Sequence, residues 1–229
     1  MLSLSEFVKK IDHTVLKPNA RLDDIINECR KSMEIGFAAF VAPPVYIKQV
    51  SEILASSDVK PCTVVGFPLG YSLTEVKLAE LEQATARGAE EVDVVMNISF
   101  LRSGLIDDLK RELTALVEAA HSSGVIIKVI IQTDYLNDEE KAEACRLLIE
   151  AGADYVKTCT GFGPGRATIH DVALLKKVSE GKIKVKAAGG IRHAEDALTF
   201  IRAGADRIGT SSGVIIAEEY KRLIEATEA

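Results

Sequence analysis

The stretch Gly152-Ala153-Asp154-Tyr155-Val156-Lys157-Thr158-Cys159-Thr160-Gly161-Phe162-Gly163 decides how this chain is read. Its first glycine can end a helix in a left-handed cap, and the next residues form a short run suited to a buried strand. Lys157 then stands near the carboxyl end of that strand. An ammonium in an apolar strand costs several kcal/mol unless it is paired or gives up its proton, and a neutral amine is a nucleophile. Two other stretches repeat the oddity, Glu91-Val92-Asp93-Val94-Val95 and Ile183-Lys184-Val185-Lys186-Ala187-Ala188-Gly189-Gly190. Gly88 leads to Asp93, Gly152 to Lys157 and Gly181 to Lys186 by the same step of five. Two amines and one carboxylate are therefore expected at one depth. Such a set suits imine chemistry, in which one lysine attacks a carbonyl, a second lowers its pKa, and an acid moves protons.

Outward from this stretch, strand and helix alternate eight times. A short N-terminal helix from Ser3 to Lys10, capped by Ser5 or Ser3, leads into a first strand, Ile11 to Leu16. Later strands are expected at 37–41, 63–67, 90–96 and 125–131, then around Lys157, around Lys186 and at 206–209. The helices between them start at such residues as Thr74 and Asp138, read as N-caps, and stop at Gly36, Gly88, Gly124, Gly152 and Gly204. Short connections and the absence of linker-like composition predict one α/β domain over residues 1–229, a (β/α)8 TIM barrel with a short N-terminal helix. An open doubly wound sheet is the competitor, but its glycine-rich loop after strand one is replaced here by Lys17-Pro18-Asn19. In a barrel the chemistry sits at the carboxyl ends of the strands, and phosphate commonly binds the loops after strands seven and eight. Gly189 and Gly190 let backbone N–H groups approach an anion, Ser211 and Ser212 offer hydroxyls beside a helix N-terminus, and Thr160 with Gly161 could complete the cradle.

The net charge is −6, with Lys+Arg 28 against Asp+Glu 34, so there is no basic excess for a nucleic-acid backbone. Hydrophobic residues make up 47% of the chain without an apolar run long enough to span a membrane, and no leader is evident. The expected compartment is the cytoplasm. Cys29, Cys62, Cys145 and Cys159 have no metal spacing and read as reduced core thiols, while His13, His121, His170 and His193 are scattered. No metal and no cofactor is expected.

The chain resembles the deoxyribose-phosphate aldolases, a class I, Schiff-base family. Five motifs in order carry the likeness: Ile11-Asp12-His13-Thr14, Gly66-Phe67-Pro68-Leu69-Gly70, Glu91 to Asn97, Tyr155 to Phe162, and Val185 to Arg192. The resemblance implies that Lys157 forms the Schiff base, that Lys186 lowers its pKa, and that Asp93 handles protons. Asp12, Thr14 and Lys128 would line the same pocket. It further implies a carbon–carbon lyase of deoxyribonucleotide catabolism. This enzyme would reversibly cleave 2-deoxy-D-ribose 5-phosphate to D-glyceraldehyde 3-phosphate and acetaldehyde, and would assemble as a homo-oligomer, dimer or tetramer. Three departures stand out: Gln132 where many relatives have Glu, Phe40-Val41-Ala42-Pro43 where they have a Cys-Val-Asn-Pro-like run, and Arg166 where a glycine is usual. Losing a carboxylate at 132 is expected to alter the charge around Lys128.

Blander readings stand beside these. A lysine at a strand end can snorkel to solvent, Asp12 can be a turn or cap residue, and Ser211-Ser212 can simply cap the last helix. The alternatives in function are a Schiff-base aldolase for another phosphorylated sugar and a non-catalytic sugar-phosphate binder.

Overall fold

A computed structural model describes residues 2–228. Helix α1 (Leu4–Val8) opens with Ser3 as N-cap and Glu6 returning the bond in a capping box. Strand β1 (Ile11–Thr14) and helix α2 (Leu22–Ile35) follow, with Gly36 in the left-handed conformation ending the helix. Then come β2 (Ala39–Val41), α3 (Ile47–Leu54), β3 (Lys60–Val65) and α4 (Thr74–Ala86). After β4 (Glu91–Val95) there are two helices, α5 (Ile98–Arg102) and α6 (Ile106–Ser122). The remaining repeats are β5 (Ile126–Ile130) with α7 (Asp138–Ala151), β6 (Tyr155–Lys157) with α8 (Ile169–Ser179), β7 (Lys184–Ala188) with α9 (Ala194–Arg202), and β8 (Arg207–Thr210) with α10 (Gly213–Glu228). The strands are all parallel and close in order, β8 pairing back onto β1, so the molecule is a (β/α)8 barrel.

Three local expectations are corrected. Strand β3 begins at Lys60 rather than Thr63, and Pro61 lies inside it. The missing N–H of Pro61 is tolerated, while its carbonyl still accepts from Glu90 N–H at 2.9 Å. Thr74 is the first residue of α4 and not its cap: Leu73 holds the extended cap conformation without a side-chain bond, and Thr74 Oγ1 lies 3.3 Å from Glu112 Oε2. Asn137, not Asp138, caps α7, accepting from Glu140 N–H at 2.8 Å.

Outward-facing strand residues such as Val92, Val94, Ile127, Val129 and Val185 pack against the helices and form the main core. The inward face is different. Parallel register shifts by one residue per strand around a barrel of this kind, so alternate strands contribute side chains to layers of four. From the pairings of Asp93 with Lys128, Lys128 with Tyr155 and Lys157 with Lys186, the lowest layer is Ala39, Glu91, Tyr155 and Arg207. Above it lie Asp12, Cys62, Lys128 and Lys186, then Val41, Asp93, Lys157 and Gly209. One side of the interior is apolar, with Ala39, Val41, Cys62 and Val64 in contact. The other side is charged.

Candidate active site

The five-residue step from each glycine does bring Asp93, Lys157 and Lys186 together. Lys157 Nζ and Lys186 Nζ each lie 2.7 Å from the same oxygen, Asp93 Oδ2. Lys128 Nζ lies 3.0 Å from the other oxygen, Oδ1, and 2.7 Å from Glu91 Oε2. Asp12 bridges Lys186 and Arg207, and the Arg207 guanidinium reaches Glu91 and the Tyr155 hydroxyl. Cys62 Sγ sits 3.3 Å from Lys128 Nζ. Each strand thus hands its inward charge to a neighbour's layer.

Four cationic side chains (Lys128, Lys157, Lys186, Arg207) meet three carboxylates (Asp12, Glu91, Asp93) in this interior. One positive charge is therefore in excess in a region closed to water, and its removal as a proton from one amine is favoured. Of the three lysines, Lys157 alone has its pKa shifted downward. Burial pushes its pKa down, Asp93 opposes this, Lys186 adds to it as a like charge, and the net shift is downward. Lys186 and Lys128 are raised instead, because Asp12 and Asp93 outweigh burial at Lys186, and Asp93, the Cys62 sulfur, Glu91 and Asp12 outweigh it at Lys128. Burial would raise Asp93, but Lys128, Lys157 and Lys186 together hold it well below the usual carboxylate range. Asp12 is lowered by Lys186, Arg207 and Lys128 against the same burial.

Lys157 lies at the floor of a cavity of about 660 Å³ at the carboxyl end of the barrel. Of the residues expected here, Thr14, Thr160, Gly161, Gly189, Gly190, Ser211 and Ser212 also line it. Asp12 and Lys128 do not: both are fully buried below the floor, Asp12 within β1 and hence no turn or cap residue. Lys186 lies in their layer, one below the layer that Asp93 shares with Lys157, so the three charges meet across two depths and not at one; Asp93 and Lys186 are both fully buried. Gly189 and Gly190 both have positive φ, and a Cβ on Gly190 would meet Arg166 Cδ at 2.8 Å. Gly209 leaves the space over Lys186 open, since a Cβ there would meet Lys186 Cε at 3.0 Å. Ser212 N–H donates to Thr210 Oγ1, and helix α10 opens at Gly213 beside the cavity. Exposed Lys17 and Arg192 stand at the rim. A phosphate monoester would therefore meet backbone N–H groups, hydroxyls, a helix N-terminus and two cations.

Several contributors carry little signal in the sequence. Arg207 and Glu91 complete the charge set, and Glu91 is signalled only by sharing Asp93's face of β4 two residues earlier. His13 lines the cavity with its Nε2 2.9 Å from Glu28 Oε2. Gln132 is not beside Lys128: its Oε1 accepts from Thr160 N–H at 2.8 Å, and its Nε2 donates to Asp134 at 2.7 Å. Having an amide in place of a carboxylate at 132 therefore bears on the loop after β6 and not on Lys128. Ala42 is buried, and its carbonyl accepts from Thr63 Oγ1.

Known proteins bear the same arrangement of sequence and fold. The pattern of the DeoC/LacD family aldolases matches residues 7–218. A deoxyribose-phosphate aldolase of Caldanaerobacter subterraneus subsp. tengcongensis is 51% identical over 221 residues, covering 96% of this chain and 96% of its own. Among solved structures, an aldolase designated QR15 superposes with a TM-score of 0.92 at 43% identity, over 96% of this chain and 98% of its own. A deoxyribose phosphate aldolase from Aeropyrum pernix, described as a unique tetramer, superposes with a TM-score of 0.87 at 36% identity, over 96% and 93%.

Proposed function

This chain belongs to the DeoC/LacD family of aldolases, and from that membership and its interior charge set we propose that it cleaves 2-deoxy-D-ribose 5-phosphate reversibly through a Schiff base on Lys157. The observation that carries the reading is that Lys157 alone of the buried amines reaches the cavity, and that its pKa is pushed down while those of Lys128 and Lys186 beside it are raised.

Neutral Lys157 attacks the aldehyde carbon of the open-chain sugar, and loss of water leaves a protonated imine. The imine draws in the electron pair of the bond between sugar carbons 2 and 3 as the hydroxyl on carbon 3 gives up its proton, and D-glyceraldehyde 3-phosphate leaves. The enamine is then protonated at carbon 2, and water releases acetaldehyde and the free amine. Asp93 is ionised and touches both amines, so it orients Lys157 and relays protons through water. Lys186 keeps its proton and supplies the neighbouring positive charge. Gly189, Gly190, Ser211, Ser212, Thr160 and Gly161 hold the phosphate, with Thr14 beside the sugar. Asp12 and Lys128 act from below, by fixing Lys186 and Asp93.

Borohydride reduction in the presence of acetaldehyde is expected to leave a stable two-carbon adduct on Lys157, read by peptide mass spectrometry. Lys157→Leu should lose turnover by at least about 10³-fold, as for removal of a covalent nucleophile. An adduct on Lys186 with Lys157 unmodified would reassign the nucleophile. Among the described residues no helix is long and apolar enough to cross a membrane, and we place the enzyme in the cytoplasm. We also propose self-association, supported by the tetrameric relative and by exposed Leu69, Tyr71, Leu73 and Val76 near the start of α4. Sedimentation of a monomer at micromolar concentration would remove that part.

A further inference from the structure

The segment between β6 and α8 has no regular secondary structure, yet it places Thr160 and Gly161 on the cavity wall. Two side chains from beyond the end of β5 hold it. Gln132 Oε1 accepts from Thr160 N–H at 2.8 Å, and Asp134 Oδ2 accepts from Gly165 N–H at 2.7 Å. The pair is joined by a Gln132 Nε2 to Asp134 Oδ1 bond of 2.7 Å. Gln132 is buried and has a φ of 54°, a conformation that residues with side chains seldom adopt. The loop is closely fitted to it: a Cβ on Gly163 would stand 2.1 Å from Gln132 Nε2, and one on Gly165 would stand 2.5 Å from Asp134 Cβ. The chemistry of the two partners demands an amide at 132. One end must accept from a backbone N–H and the other must donate to a carboxylate, and no carboxylate or hydrocarbon does both.

We infer that Gln132 and Asp134 form an amide–carboxylate clamp that positions the Thr160–Gly161 wall, and so sets affinity for the phosphorylated substrate without taking part in the chemistry at Lys157. Both are positioning residues, and the consequence for affinity rests on the aldolase reading above. Gln132→Glu keeps the shape but sets two acceptors against each other, so the clamp opens. Exchanging the two roles, with Gln132→Glu and Asp134→Asn together, restores it. The carboxylate now at position 132 would accept from Thr160 N–H and from the amide now at position 134, whose oxygen would accept from Gly165 N–H.

The test measures kcat and KM for deoxyribose 5-phosphate at pH 8, together with hydrogen exchange of the peptide covering residues 158–166, in the wild type, the single variant and the double variant. The single variant is expected to raise KM about tenfold with kcat within about twofold, and to speed exchange in the loop, as for loss of one or two buried hydrogen bonds. The double variant should return both readouts to near wild type. Unchanged KM and exchange in Gln132→Glu, a fall in kcat alone, or a double variant no better than the single would each overturn the clamp. If the single variant does not fold, the double variant decides: wild-type KM and exchange support the clamp, and raised KM with fast exchange overturns it. A wild type without turnover counts against the aldolase reading only, because loop exchange still judges the clamp.

Discussion

Replacing Lys186 by methionine would remove the like charge that helps lower the Lys157 pKa and leave Asp93 Oδ2 to Lys157 alone. Both changes favour the protonated amine. The limb of the pH–rate profile on which activity is lost as pH falls through the Lys157 pKa should move to higher pH. Turnover at pH 7 should fall by about 100-fold, as for loss of a group that supports proton transfer at the reacting amine. An unmoved limb would take Lys186 out of this role. Gly209→Ala makes a subtler case, since its Cβ would press on Lys186 Cε from 3.0 Å; a KM near wild type with a lowered kcat in steady-state assays is the expected outcome. Legibility at this scale follows locality. Asp93, Lys157 and Lys186 can be read together because each lies a fixed step beyond a glycine that ends a helix. Arg207 cannot, because its partner Asp12 is 195 positions away in sequence and nothing near Arg207 distinguishes it from a polar residue at a strand start.

Helices α4 and α6 are tied to the end of β4 by a buried pair that the reaction does not use. Lys77 Nζ lies 2.9 Å from Glu112 Oε1 and 2.9 Å from Val95 O, and Asn97 N–H donates to Glu112 Oε1 at 2.8 Å. Both side chains are fully buried. Glu112→Leu strands an ammonium, and denaturant titration should show a loss of about 3 kcal/mol. The double variant Lys77→Met with Glu112→Leu should recover most of that, apart from the bonds lost at Val95 and Asn97. If single and double variants were equally unstable, the penalty would belong to those backbone groups. Element boundaries are readable where glycine ends a helix, as at Gly36 and Gly152, both left-handed. They escape a sequence reading where conformation rather than side-chain type selects the cap, as at Leu73, and where a proline enters a strand, as at Pro61.

At the scale of the whole molecule, the eightfold alternation is enough to expect the barrel, but not to say which side chains share a layer. That depends on the stagger between strands, a property of closure and not of any one segment. The layers in turn govern the response to acid. Asp12 and Asp93 have folded-state pKa values below their unfolded ones, so their stabilisation is present above about pH 4 and is lost as pH falls further. Lys157, also lowered, adds a gain in stability as pH rises from its folded value toward about 10.5. Lys128 and Lys186 are raised and lose their contribution only at still higher pH. Denaturation midpoints should therefore drop steeply below about pH 4 and rise with pH over the range in which folded Lys157 has lost its proton and the unfolded lysine has not; a midpoint that rises on acidification would contradict this linkage.

Closure of β8 onto β1 has a further result for a growing polypeptide. While the ribosome has yet to release the last strand and helix, Lys157 and Lys186 already exist, but Asp12 has no guanidinium beside it and the phosphate cradle lacks its serines. The charge balance on which the proposed reactivity of Lys157 depends is thus complete only once β8 has closed onto β1 and set Arg207 against Asp12.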